Sequence, residues 1–273
     1  MSATLEDKRR AASRGGREPL LLLPGYAVPA SSLNDVQSLM SDRFECFTVD
    51  YPGSGDAPTP WFPMTVADLA VAAVRRLDEL NLDSAHVYGV SFGGLVAQEL
   101  AIRFPERVRA LILGATTPGG ARAVQRNPCL FLGAVWDLKA QFGQSVRASG
   151  IIYQGYAAIL HDTNGRLDQI QAKTLIIHGS RDGLVPVTAA QLLHEQITGS
   201  TIMVMPAASH SYAFEDLKES TAVIFDWFDR SGPFPAGRRR QHRRPPGPID
   251  RALALPIAQL RALRAIPALI TRR

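Results

Sequence analysis

Six residues, GVSFGG at 89–94, restrict this chain more than any other feature. They follow an apolar run, SAHVYGV (84–90), and lead into LVAQELAIRF (95–104), which has helical spacing. A buried strand that runs straight into a helix has no ordinary use for three glycines around one serine. Glycine admits backbone conformations and close approaches that a Cβ forbids. The spacing Gly-x-Ser-x-Gly therefore fits a sharp strand–turn–helix that holds Ser91 exposed above the carboxyl edge of a sheet. The following helix would aim its dipole and its unpaired N–H groups at that serine. Gly-x-Ser-x-Gly alone has many chance matches, and the flanking strand and helix are what give it weight here.

The remainder of the chain supplies the sheet. PLLLLP (19–24), FECFTVD (44–50), SAHVYGV (84–90), VRALILG (108–114), KTLIIHG (173–179) and TIMVMP (201–206) read as short strands bounded by turn residues. Several lack in–out alternation, as expected when helices cover both faces. Between them lie helical stretches at 31–41, 65–80, 92–104, 187–197 and 214–230. In 65–80, Val66, Leu69, Ala73 and Leu77 recur at helical spacing and Asp68 sits near the start. This alternation predicts a mostly parallel α/β sheet of about six strands with right-handed crossovers. One interval, 117–172, exceeds what a single crossover needs and reads as a short helical insertion over one end of the sheet.

The net charge of +5 is unevenly distributed. From Gly232 onward there are ten arginines and one acid, Asp250, so the basic character belongs to a Gly/Pro/Arg-rich tail. A nucleic-acid role for the whole chain is therefore not indicated. The expected organisation is a disordered stretch over 1–18, a domain over 19–231, and a tail over 232–273 that is disordered or partly helical. The first residues lack the apolar centre of a secretory signal, and Cys46 and Cys129 make neither a disulfide framework nor a metal spacing. Cytoplasmic residence is the expectation. The final segment is apolar and basic, but Pro256 and Pro267 interrupt it and Arg261 and Arg264 fall near Ile257. Membrane contact through it is a minority reading.

A serine hydroxyl needs a base, and the base needs an acid to set its tautomer. The loop after the fifth strand, HGSRDGLVP, carries Asp182, and the loop after the sixth, AASHSY, carries His210. Both loops open on the same sheet edge as Ser91. Asp162 and Asp168 are alternative acids, but neither follows a strand end. His178 and His86 read as structural, and His161 as a surface or capping residue. His194 falls on a helix and His242 in the tail. No glycine loop suggests a nucleotide, and no metal or other cofactor is called for.

With GVSFGG, the turn VDYPGSGDA (49–57), and the acid and base loops, the stretch 19–230 resembles the α/β-hydrolase superfamily. Within it, GVSFGG, FPERVRALILGATTPGG and HDTNGRLDQI are most similar to small bacterial enol-lactonases, esterases and intracellular polyester depolymerases. The resemblance implies Ser91 as nucleophile, His210 as base and Asp182 as its orienting acid. It also implies an oxyanion hole of two backbone N–H groups, from Phe92 and from Tyr26 in LLLPGYAVP. Here Pro24-Gly25 replaces the family's usual His-Gly. Tyr26, Phe92, Trp136 and Tyr153 are the candidate substrate-binding residues, with Phe131, Phe142 and Tyr156 as further aromatics. These insertion aromatics would either line an acyl pocket or hold the insertion to the domain. The implied activity is hydrolysis of a carboxylic ester, thioester or lactone of a small acyl substrate. An acyltransferase or cyclase on the same residues, and a ligand receptor that keeps the pocket, are the alternatives. The oligomeric state is not specified.

Overall fold

The computed structural model describes residues 16–120, 143–145 and 147–235. Six strands form one sheet in the order β2-β1-β3-β4-β5-β6: β1 Glu18–Leu23, β2 Phe44–Thr48, β3 Ala85–Val90, β4 Val108–Gly114, β5 Lys173–Gly179 and β6 Thr201–Met205. Every neighbouring pair is parallel. The helices are α1 Asn34–Met40, α2 Val66–Glu79, α3 Phe92–Arg103, α4 Ala148–Leu160, α5 Thr188–Gln196, α6 Tyr212–Glu215 and α7 Leu217–Ser231.

Two apolar layers explain the leucine run of β1. Leu21 and Leu23 face α2, α3 and α5, packing with Leu69, Ala73, Leu77, Val96, Leu100 and Leu193. Leu20 and Leu22 face the other side, with Val36 and Met40 of α1 and Ile224 and Phe228 of α7. The same split recurs in β4, where Leu111 and Leu113 join the first layer and Ala110 and Ile112 the second. A strand buried on both faces shows no alternation in sequence. Each leucine so buried contributes roughly 1.5–3 kcal/mol.

The chain leaves β1 to one side to make β2, then returns past β1 to make β3. The loops after β1 and β3 thus diverge at the reversal of strand order, and the crevice at their carboxyl ends is where open α/β sheets bind ligands. Ser91 follows β3 directly, so the fold delivers it to that crevice.

The insertion has a defined neck. Gly120 N–H donates to His161 O at 2.8 Å, and Thr163 N–H to Pro118 O at 2.9 Å. Gln98 of α3 clamps both strands of the neck, donating to Thr117 O at 3.0 Å and accepting from the Thr163 hydroxyl at 2.6 Å. Beside it Glu99 accepts from Arg103 and from Arg166, each at 2.6 Å. His161 closes α4 at its C-cap, as one of the expected roles has it, but its ring is buried rather than on the surface. That burial pushes its pKa down to about 4. A charge-rich neck segment hid this, because the ring faces Gly119 of the neck and Glu99 of α3, both remote in sequence.

Three boundaries differ from the sequence reading. The helix expected at 31–41 is a 3-10 turn, Ala30–Leu33, followed by α1. The one at 214–230 is broken at Asp216 into α6 and α7. The packed region also runs past Ser231, since Phe234 stacks 4.9 Å from Phe228 and 5.5 Å from both His86 and Trp227. A Pro/Gly-rich composition predicted a tail there, but an aromatic socket on the sheet outweighs it. The remaining tail, residues 1–15, and Cys129, Phe131, Trp136, Phe142 and His242 lie outside the described residues. Among the described residues no helix is long and apolar enough to cross a membrane.

The start of α2 carries a reciprocal cap. The Thr65 hydroxyl accepts from Asp68 N–H at 3.2 Å, and Asp68 Oδ2 accepts from Thr65 N–H at 3.0 Å. Thr65→Ala removes half of this box, and the expected loss is about 1 kcal/mol of unfolding free energy. Urea unfolding followed by circular dichroism measures it, with Asp68→Ala expected to match.

Candidate active site

The turn at Ser91 is built by absent side chains. Ser91 itself has φ 54° and ψ −116°, a strained conformation for a residue with a Cβ. A Cβ on Gly89 would overlap Gly93 O, and one on Gly93 would overlap Leu23 O, so β1, β3 and α3 converge at backbone distance. The third glycine has a separate cause. A Cβ on Gly94 would overlap the Thr116 side chain, whose hydroxyl donates to Ser91 O at 2.7 Å. Ser91 N–H donates to Gly114 O, also at 2.7 Å. Thr116 is a residue the sequence reading missed, although Gly94 was its trace.

Ser91 Oγ lies 2.9 Å from His210 Nε2, and His210 Nδ1 lies 2.7 Å from Asp182 Oδ2. Three side chains distant in sequence are therefore in one hydrogen-bonded line. Gly179 lets two of their loops meet, because a Cβ there would overlap Ala208 O and Ser209 O. Arg181 N–H then donates to Ala208 O at 2.9 Å, which ties the Asp182 loop to the His210 loop.

Asp182 is fully enclosed, and its carboxylate is saturated with donors. Oδ1 accepts from the N–H groups of Leu184 at 2.8 Å and Val185 at 2.7 Å. Oδ2 accepts from His210 and also faces His178 Nε2 at 3.1 Å. Four donors match the lone-pair sites of an ionised carboxylate. Burial alone would raise the Asp182 pKa, but hydrogen bonds from His178 and His210, with the Val185 amide, hold it well below the usual carboxylate range. An ionised Asp182 requires the proton of His210 on Nδ1, which leaves Nε2 to accept from Ser91.

His178 is the second residue the sequence reading undervalued. It is structural, as read, but it touches the acid. Its Nε2 also lies 2.9 Å from Val185 O, and both neighbours are acceptors, so Nε2 carries the proton. Its position four residues before Asp182 in the same strand-to-loop turn was the available signal.

The opposite wall comes from the loop after β1. A Cβ on Gly25 would stand 3.9 Å from Ser91 Cβ, so this backbone passes directly beside the serine. The turn after β2 supports the loop, Asp50 accepting from Ala30 N–H at 2.6 Å and from Asp56 N–H at 3.2 Å. Phe92 opens α3, where the first N–H groups have no intrahelical acceptor. Its ring is buried between Tyr26 and Tyr51, with centroids at 6.0 and 5.6 Å. The Tyr26 hydroxyl donates to Ile151 O of α4, and burial pushes its pKa up to about 12. Tyr153 borders a void of about 10 Å³ with Pro52, Pro60, Met64 and Leu69. That is room for about one water.

Comparisons with known proteins agree with this architecture. A family model described as alpha/beta hydrolase fold matches residues 18–139. A poly(3-hydroxyalkanoate) depolymerase of Ectopseudomonas oleovorans is 28% identical over 72% of this chain and 80% of its own length. A pimeloyl-[acyl-carrier protein] methyl ester esterase of Neisseria meningitidis is 27% identical over 80% of this chain and 78% of its own. The solved enol-lactonase of Burkholderia xenovorans superposes with a TM-score of 0.69 at 20% identity, over 79% of this chain and 92% of that one.

His178→Phe keeps an aromatic ring, somewhat larger than the imidazole, and removes a donor from Oδ2. The expected loss is about 1–3 kcal/mol of unfolding free energy at neutral pH, read from urea melts. Asp182 has a lowered pKa, so its contribution to stability is present above the unfolded carboxylate value, about pH 4, and is lost as pH falls through the folded value. The gap between wild type and variant is therefore expected in full above about pH 4 and to narrow below it.

Proposed function

We propose that this chain, an α/β hydrolase by fold and by family resemblance and an ester hydrolase by kinship, cleaves its ester through a serine acyl-enzyme. The observation that carries this reading is the unbroken line from Ser91 Oγ through His210 to a buried, ionised Asp182. Ser91 attacks the acyl carbonyl while His210 Nε2 takes the hydroxyl proton. Asp182 holds the imidazole in the required tautomer and stabilises the imidazolium that forms. The carbonyl oxygen, now an oxyanion, receives the backbone N–H groups of Phe92 and Tyr26. Such a donor supplies about 3–4 kcal/mol to the transition state.

The leaving alcohol or thiol departs with the proton from His210. Water then gives a proton to the same imidazole, attacks the acyl carbon and releases the acid, restoring Ser91. The substrate class is a carboxylic ester, thioester or lactone of a small acyl group. Support comes from the names of the relatives, a depolymerase of a polyester, a methyl ester esterase and an enol-lactonase, which share cleavage of an acyl–oxygen bond. The chain's own residues supply every group these steps use.

A fluorophosphonate probe is expected to label Ser91, and the label to be absent from Ser91→Ala. That variant is expected to lose on the order of a million-fold in turnover of p-nitrophenyl esters. A series of increasing acyl length then sizes the pocket by its optimum. Full turnover by Ser91→Ala, measured with an enzyme preparation free of host esterases, would remove the assignment.

A further inference from the structure

The two N–H groups assigned to the oxyanion differ in how they are held. Phe92 belongs to the rigid start of α3, whereas Tyr26 lies in a loop with an unusual neighbour. Ala27 has φ 56°, in the left-handed region that residues with a Cβ avoid. Nothing in its own side chain favours that conformation. The support comes from the insertion. Gln154 of α4, only 2% exposed, accepts from Ala27 N–H through Oε1 at 2.7 Å and donates from Nε2 to Ser54 Oγ at 2.8 Å. The two bonds fix which way the carboxamide points, since only its oxygen can receive the Ala27 proton.

The helix that carries Gln154 is seated at backbone distance. A Cβ on Gly53 would stand 2.8 Å from Gly150 Cα, and one on Gly155 would stand 2.8 Å from the Tyr26 hydroxyl oxygen. That hydroxyl donates to Ile151 O of the same helix. One face of α4 therefore grips Tyr26 by its side chain and Ala27 by its amide. Because the Ala27 N–H is committed to Gln154, it is not the oxyanion donor, and its orientation sets the plane of the Tyr26–Ala27 peptide unit.

We propose that Gln154 is a positioning residue for the oxyanion hole: by holding the Ala27 amide it fixes the Tyr26–Ala27 peptide and the left-handed turn after it, and so the loop whose Tyr26 N–H meets the carbonyl oxygen bound to Ser91. The inference rests on the serine-hydrolase reading above. It assigns part of the transition-state geometry to the insertion rather than to the sheet that carries Ser91, Asp182 and His210. A displacement of about 1 Å at such a donor is enough for a large loss of rate.

The test is steady-state kinetics on a p-nitrophenyl ester with Gln154→Met, which keeps the volume and removes both hydrogen bonds. The expected result is a fall in kcat of about tenfold to a hundredfold with KM within about threefold, because the lost contact acts in the transition state. Affinity for a trifluoromethyl ketone, which forms a tetrahedral oxyanion on the serine, is expected to fall in parallel. Gln154→Glu retains an acceptor for Ala27 and is expected to recover most of kcat. The double variant Gln154→Met with Ala27→Gly is expected to recover part, because glycine holds this φ without help. A folded Gln154→Met with kcat within twofold of wild type overturns the proposal, as does a loss confined to KM. Where the methionine variant does not fold, Gln154→Asn withdraws the acceptor by one methylene and carries the same expectations. A wild type that turns over esters and is labelled at Ser91 keeps the serine-hydrolase reading standing whichever way Gln154 falls.

Discussion

The rest of the site depends on one steric fact: β1, β3 and α3 meet at a point where no side chain fits. Leu23 O lies where a Cβ of Gly93 would be, and Gly93 O where a Cβ of Gly89 would be. Ser91 sits in the turn between them, its amide held by Gly114 O and its carbonyl by Thr116 and the Gly94 N–H. The strain at φ 54° is sustained because both peptide groups of the serine are bonded into neighbouring elements. On the proposed mechanism, such a turn leaves the Ser91 hydroxyl little freedom to lose when it reacts. That is the physical content of presenting a nucleophile on a turn between a buried strand and a buried helix.

Electrostatics completes what sterics begins. A fully enclosed carboxylate is unfavourable unless its oxygens are satisfied. Asp182 meets this with two loop amides and two imidazoles. Only one of the imidazoles reaches the serine. The other, His178, is itself pinned by Val185 O, so it contributes a fixed N–H that does not compete for Ser91. Charge on Asp182 is thereby retained at any pH near neutrality, and the tautomer of His210 follows from it. The acid loop is thus a small self-consistent unit: Val185 donates to Asp182 through its amide and accepts from His178 through its carbonyl.

How much of this was legible in the sequence depended on whether the cause was local. Strand positions came from apolar runs that are apolar because both faces are covered, and their ends shifted by only a residue or two. The meeting of Ser91, Asp182 and His210 could be read from three loops on one sheet edge, since parallel strands send all such loops the same way. What could not be read has partners remote in sequence. Phe234 looked like tail because the His86, Trp227 and Phe228 socket is assembled only in three dimensions. His161 looked like a surface residue because its cover comes from Gly119 and from α3. Gln154 was passed over as a single amide in the middle of a mostly apolar helix. In retrospect a buried amide in such a helix is the anomaly worth asking about, because it must find partners for both its donor and its acceptor.

A division of roles follows from where the contacts lie. The sheet and its loops hold Ser91, His210 and Asp182, and no described contact of α4 reaches these three side chains. The described part of the insertion touches the loop after β1 through Ile151, Gln154 and Gly155 and the turn after β2 through Gly150, and its neck is clamped by Gln98 and Glu99 of α3. Since α3 begins at Phe92, the helix that follows Ser91 also anchors the segment that holds the loop after β1. On the proposed mechanism the two oxyanion donors, Phe92 and Tyr26, are therefore registered through this one helix. In this arrangement the outer face of α4, where Ile152 and Ile159 are exposed, is free to vary while the inner face is constrained to small residues and one amide. On the proposed mechanism, changes on the outer face leave the Ser91–His210–Asp182 line intact, and changes on the inner face act on the oxyanion.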